Sequence, residues 1–186
     1  EFLKGLELIS PLYNAITYKK VIEIDYQGFR QSDPVQYLLH PQLLKQYNNR
    51  WFLIGMLDEN DRFTNISLDR IIAIRELSEI VYRESAKDFN ELFEDVVGVS
   101  IPKNENPQRI QIKVNKQLAP YILSKPLHGS QKIIDRINLI IEIELIVNYE
   151  LLSVIMSYGE GLEILSPVEL RILLKEKFKN ILNKYD

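Results

Sequence analysis

Cysteine is missing from all 186 residues, which excludes disulfides, thiolate metal centres and cysteine nucleophiles at one stroke. The absence also fits a reducing cytoplasm. Histidine is scarce, with only His40 and His128. A Ser-His-Asp triad needs one of them near a nucleophile motif such as Gly-x-Ser-x-Gly, and none is present. Two histidines so far apart do not suggest a histidine-rich metal site either. The seven glycines form no phosphate loop and no dinucleotide fingerprint, since Gly159-Glu160-Gly161 lacks the third glycine and the preceding parallel strand. Long hydrophobic runs are missing too: Leu139-Ile140-Ile141 is interrupted by charge well short of a membrane span. No basic-then-apolar leader opens the sequence. Positive charge is not in excess, because 23 Lys and Arg stand against 26 Asp and Glu, giving a net charge of -3 and a pI near 5.6. That balance argues against an autonomous duplex-DNA binder. Paired acids such as Glu142 and Glu144 read as one solvated strand face. No enzyme, metal or cofactor is expected.

What is present is an ordinary globular mixture, 46% hydrophobic and 26% charged, enough to bury a core. Phe2, Leu3, Leu6, Ile9, Leu12, Tyr13 and Ile16 recur at three- and four-residue steps, so residues 2–18 read as a helix that Pro11 bends or divides. The sequence opens inside this pattern and reads as a piece of a longer protein. Strands follow at Val21 to Tyr26, at Tyr37 to Tyr47 with a bend at Pro41, at Trp51 to Leu57, at Arg62 to Ser67 and at Ile71 to Leu77. Asn48-Asn49 supplies a hairpin turn, because asparagine tolerates positive φ, and Asp58-Glu59-Asn60-Asp61 supplies another. Five short strands with tight turns are the pattern of a small β-barrel or sandwich.

An amphipathic segment from Ser85 to Gly98 leads into Pro102, Asn104, Asn106 and Pro107, the best boundary in the chain. Beyond it the order is strand (Arg109 to Val114), helix (Lys116 to Leu123), strand (Ser130 to Ile134), strand (Leu139 to Val147), helix (Tyr149 to Tyr158), strand (Leu162 to Leu165). Pro167 then opens a final helix. This β-α-β-β-α-β order matches a ferredoxin-like sandwich. The expected fold class is therefore α+β. Its expected division is a helix plus barrel over 1–84, a linker with a short helix over 85–107, and a ferredoxin-like extension over 108–186.

Asn49-Arg50-Trp51-Phe52-Leu53-Ile54-Gly55 is the most informative stretch, because an arginine and the only tryptophan enter one apolar strand. Composition alone favours plain core aromatics for Trp51 and Phe52 and a solvated or structural pair for Asp69 and Arg70. The competing reading rests on co-occurrence. Tyr26, His40, Lys45, Arg50, Trp51, Arg62 and Arg70 all fall at strand ends or turns of one small barrel. Gathered on one rim, the rings stack bases and the cations hold phosphates, as in single-strand nucleic-acid binding.

His40-Pro41, Asn49 to Gly55 and Leu68-Asp69-Arg70-Ile71 together resemble the WYL domain of bacterial transcriptional regulators. Gly159 to Pro167 and the Leu-Arg-containing helix after it resemble the extension that commonly follows. The resemblance covers nearly the whole chain. It implies an Sm-like, SH3-type barrel that senses an anionic effector, either single-stranded nucleic acid or a nucleotide-like ligand. It further implies DNA binding through an N-terminal helix-turn-helix that precedes Glu1, and a homodimer. The expected ligand contacts are Tyr26, His40, Lys45, Trp51, Arg62 and Arg70, supported by Arg50, Phe52, Ser67 and Asp69. Two departures stand out. Phe52 occupies the motif tyrosine and cannot donate a hydroxyl hydrogen bond, and Thr64 and Ser67 stand where arginines are usual. The alternative is a dimerisation module with no ligand of its own.

Overall fold

The computed structural model describes residues 3–60, 62–103 and 105–185. Phe2 of the expected first helix, Asp61 of the expected turn and Asn104 of the expected boundary lie outside the described residues. The chain divides into two compact units, Glu1–Phe89 and Asn90–Asp186.

In the first unit a 3-10 turn at Leu6–Leu8 precedes helix α1, Ile9–Thr17. Pro11 does not divide the helix. It sits in the first turn, where its missing N–H has no intrahelical acceptor to lose. Strands β1 (Val21–Tyr26), β2 (Val35–Tyr47), β3 (Arg50–Leu57), β4 (Phe63–Ser67) and β5 (Ile71–Leu77) form an antiparallel sheet in the order β4-β3-β2-β1-β5. Asn48 and Asn49 have φ of 46° and 58°, the left-handed pair a two-residue hairpin needs. The β2–β3 register shifts between Pro41 and Leu43, so the proline falls at a bulge, where no ladder donor is required.

The expected barrel is not closed, since β4 and β5 do not pair among the described residues. The sheet is nevertheless strongly curled, and chain connectivity shows why. Only the 3-10 turn Leu68–Arg70 joins Ser67 at one edge to Ile71 at the other. Those four steps reach at most about 14 Å, whereas five flat strands span about 19 Å edge to edge. The two edges must therefore bend toward each other. The concave face buries Ile22, Ile24, Tyr26, Leu39, Leu53 and Ile66 against Leu12 and Ala15 of α1 and Leu68 of the turn. On the opposite face Ile54 and Met56 are also buried. Residues 82–85 lie across β2 there: the amide of Gln42 donates to the Arg83 carbonyl at 3.0 Å and accepts from the Ser85 N–H at 3.0 Å. The amphipathic segment expected over 85–98 is helical only at α2, Phe89–Glu94, and the Phe89 ring meets Phe63 edge-on.

The second unit runs β6 (Gln108–Val114), α3 (Ala119–Ser124), β7 (Lys132–Asp135), β8 (Ile140–Leu145), α4 (Tyr149–Ser157), β9 (Leu162–Ser166) and α5 (Val168–Leu182). Its four strands are antiparallel in the order β7-β8-β6-β9. Alternation along β6 and β8 buries Ile110, Ile112, Val114, Ile141, Ile143 and Leu145 against α3, α4 and α5. Asn148 caps α4 by accepting from the Leu151 N–H at 2.8 Å. Glu150, in the first turn of α4, accepts from the Ser100 N–H and hydroxyl at 3.1 and 2.6 Å. The molecule as described is thus a mixed α+β fold with two antiparallel sheets.

Candidate functional site

The curl that brings β4 toward β5 builds the site. Ser67 pairs across to Phe52 of β3, and Phe52 pairs to Lys45 of β2. Four residues on, Ile71 pairs with Tyr26 of β1. The intervening Leu-Asp-Arg turn therefore holds Asp69 and Arg70 where the edges approach. The Ser67 hydroxyl donates to Asp69 Oδ1, which leaves Oδ2 facing Arg50 Nη1 at 3.9 Å. Asp69 thus pairs with Arg50 and not with its sequence neighbour Arg70.

Arg70 is held differently. Its Nη1 donates to the Tyr26 hydroxyl at 3.4 Å, and its guanidinium lies over the Phe29 ring, 4.1 Å from the centroid. Its Nε is buried without a hydrogen-bond partner, an arrangement that costs free energy unless an acceptor is supplied. The Arg50 guanidinium lies 5.9 Å from the same Phe29 ring. Phe29 itself is 74% exposed on the β1–β2 loop. That loop is tied to the turn by the Gln27 N–H donating to the Arg70 carbonyl at 3.1 Å. Two guanidinium groups and one carboxylate leave local positive charge beside an exposed ring. Lys45 adds to it from the row of Phe52 and Ser67, and partial burial lowers its ammonium pKa.

Of the expected site residues, the structure brings together Tyr26, Arg50, Ser67, Asp69 and Arg70, with Lys45 and Phe52 in the adjoining row. Trp51 is half-buried and packs on the concave core with Leu53. Its indole is a wall of the sheet at this end, neither sealed nor freely presented. His40 and Arg62 are elsewhere, and the expectation of a single rim is corrected for both. His40 pairs with Met56, and Met56 with Phe63. That row lies four residues from Phe52 along β3, about 13 Å away. Arg62 lies beyond Phe63, its carbonyl accepting from the Leu57 N–H, so β4 separates it from Arg70.

His40 is completely buried. The Arg83 N–H donates to its Nδ1 at 3.0 Å, and its Nε2 is 2.9 Å from Asp58 Oδ1. Because Nδ1 accepts from the backbone, a neutral ring carries its proton on Nε2, facing the carboxylate, with Arg83 Nε and Nη2 each 3.1 Å from the same nitrogen. Arg83 Nη2 donates to the same Asp58 through Oδ1 and the carbonyl, each at 2.7 Å. The hydrogen bond from His40, with the Arg83 guanidinium beside it, holds Asp58's carboxyl below the usual carboxylate range. Tyr82 closes the cluster, donating to the Pro41 carbonyl at 2.6 Å. Burial, with Glu84 nearby, pushes its hydroxyl up to about 12. With both ring nitrogens engaged and no exposure, His40 locks residues 82–83 to the sheet and is not placed to touch a ligand or serve as a base.

Phe29 and Arg83 escaped the sequence reading. Phe29 follows Gly28 in a polar loop with no periodicity, and a lone aromatic beside Arg30 was its only signal. Arg83 meets His40 across 43 residues, and nothing local marks it.

Residues 7–76 match the WYL domain model and residues 106–182 the WCX domain model. No curated protein is similar to the chain. Among solved structures the chain is similar to proteasome accessory factor B/C (PafBC) of Arthrobacter aurescens, at 14% identity and a TM-score of 0.40, over 98% of this chain and 27% of that one. It is also similar to a CRISPR Cas-related protein, at 14% identity and a TM-score of 0.51, over 96% of this chain and 50% of that one. The chain therefore spans half or less of the length of these structures, and the second likeness is one of fold. Among the described residues, no helix is long and apolar enough to cross a membrane.

Proposed function

The chain is a WYL domain followed by a WCX domain, and on that premise we propose that it is the effector-sensing part of a bacterial transcriptional regulator. The effector is an anionic nucleic-acid or nucleotide-like ligand, and its site is the cluster of Arg70, Arg50, Tyr26 and Phe29. One observation carries this reading: Arg70 has a buried Nε with no acceptor while its guanidinium is stacked on an exposed ring. A phosphate oxygen satisfies the first and a base stacks on the second. Lys45 adds charge along the same end of the sheet, with Trp51 and Phe52 as apolar walls. Asp69 holds Arg50 in place. His40 and Arg62 have no part in this site.

The order β4-β3-β2-β1-β5 with a leading helix supports an Sm-like reading of the first unit. The order β7-β8-β6-β9 supports a ferredoxin-like reading of the second. Residues 1–84, 85–107 and 108–186 then serve as sensor, linker and extension. Contact with DNA belongs to a helix-turn-helix outside this sequence, in the cytoplasm. The reading assigns no catalysis to the chain.

The test is a titration of short single-stranded oligonucleotides and nucleotides against the wild type and Arg70→Ala. Arg70→Ala is expected to weaken binding at least tenfold, about the worth of one charge-assisted hydrogen bond. Superimposable curves remove Arg70 from the site.

A second reading, a dimerisation module without a ligand, is favoured by the apolar residues left exposed on α5, among them Ile172, Phe178 and Leu182. It predicts a dimer whose stability is indifferent to salt and to Arg70.

A further inference from the structure

A cavity of about 210 Å³ opens into the core of the second unit, far in sequence from the arginine cluster and independent of the reading above. Its floor is hydrocarbon: Val114, Ala119, Ile122 and Ile141, each under 10% exposed. Leu123 and Ile133 form the lip and are 43% and 39% exposed. One polar side chain lines it, that of Arg136. Native cores are packed nearly as tightly as organic crystals, so an apolar hollow of this size is not packing noise. An engineered apolar cavity of about 150 Å³ stays dry and takes up benzene, and this one is larger.

The turn that carries the charge at its mouth is held in place, and the charge is left unneutralised. Arg136 sits in the β7–β8 turn, which Asp135 builds. Asp135 Oδ1 accepts from the Ile137 and Asn138 N–H groups at 2.8 and 2.9 Å, and Oδ2 accepts from the Asn138 side chain at 2.7 Å. The nearest carboxylate in sequence is therefore spent inside the turn. Those hydrogen bonds from Asn138 and Ile137 keep its pKa low and the carboxylate ionised. Among the described residues Arg136 makes no hydrogen bond or ion pair. A hydrocarbon pocket with a single unpaired guanidinium at its entrance discriminates for a molecule with an apolar body and one anionic end.

The geometry points to a binding site for a small monocarboxylate with an aliphatic body of about six to eight carbons, judged by the benzene-sized precedent. The chain lies over Ile122 and Ile141, and the carboxylate meets Arg136 in a bidentate pair. The second unit is thereby a ligand-binding module in its own right and not only an extension of the first.

The experiment is calorimetry, together with amide chemical-shift mapping, on the full chain with octanoate and with octanol. Octanoate is expected to saturate in the millimolar range or below, shifting amides of residues 119–123 and 133–141. Arg136→Gln, a change at an exposed position, is expected to weaken octanoate about tenfold and leave octanol unchanged. Ala119→Leu, which fills the hollow, is expected to abolish both. Three outcomes overturn the proposal. Octanoate and octanol bind alike with Arg136→Gln silent, octanoate shifts map outside the pocket, or the pocket amides respond only to protein concentration. The last result makes a side chain of a second copy the occupant.

Discussion

Replacing His40 by alanine separates the two polar clusters of the first unit most sharply. The imidazole has no solvent exposure and is hydrogen-bonded at both ring nitrogens, from the Arg83 N–H at Nδ1 and to the Asp58 carboxylate at Nε2. Each contributes about 1 kcal/mol net, and a donor left without an acceptor costs about as much again. Removing a ring from a filled site adds a cavity cost of about 1–2 kcal/mol. The expected loss is about 4–5 kcal/mol. Urea unfolding followed by Trp51 fluorescence reads this directly, because the only tryptophan lies in the first unit. At a slope of about 1.5 kcal/mol/M the midpoint falls by about 3 M. Below its new midpoint the variant is expected to bind oligonucleotide as the wild type does. A midpoint shift under about 0.5 M, or a folded variant that has lost the ligand, refutes the assignment of His40 to the lock.

Other outcomes follow from the same geometry. Asp58 has its folded pKa lowered below the ordinary value of 3.8, so its contribution is complete above that value and is lost as pH falls through the folded pKa. Asp58→Asn should accordingly flatten the acid limb of the stability profile below pH 4, which acid unfolding monitored at Trp51 measures. Asn48→Val should cost about 1–2 kcal/mol, because a β-branched residue is forced to positive φ, and the urea midpoint records it. In the second unit, Glu150→Ala removes the acceptor of the Val99 and Ser100 N–H groups at 3.4 and 3.1 Å. Hydrogen exchange at those two amides should accelerate at least tenfold, while exchange at Ile24 and Leu53 stays unchanged.

Much of the fold was readable because local rules and burial agree. Asn48-Asn49 announces a hairpin through the φ it permits, and Pro41 announces a bulge through the donor it lacks. Alternation along β6 and β8 gives both strands and their buried face. The helices were less legible at their ends: Pro11 marks a first turn and not a break, and only six residues of the 85–98 segment close into α2. The site was half legible. Arg50, Asp69 and Arg70 are recognisable beside the tryptophan strand, but sequence does not say at which end of a curled sheet a charge lands. Arg62 and Arg70 are eight residues apart with a five-residue strand between them, so geometry sends them to opposite ends. His40 and Phe29 changed places for a related reason. Non-local partners, Arg83 for the histidine and Arg70 for the phenylalanine, decide which ring is sealed and which is presented.

Amide chemical-shift mapping of the full chain with a short single-stranded oligonucleotide decides whether the Arg70 cluster is the ligand site. Saturable shifts are expected at Gln27 to Phe29, Arg50 to Phe52 and Ser67 to Arg70, screened out by salt and missing in Arg70→Ala. Shifts centred on His40, Asp58 and Arg62, or confined to residues 108–186, contradict that assignment.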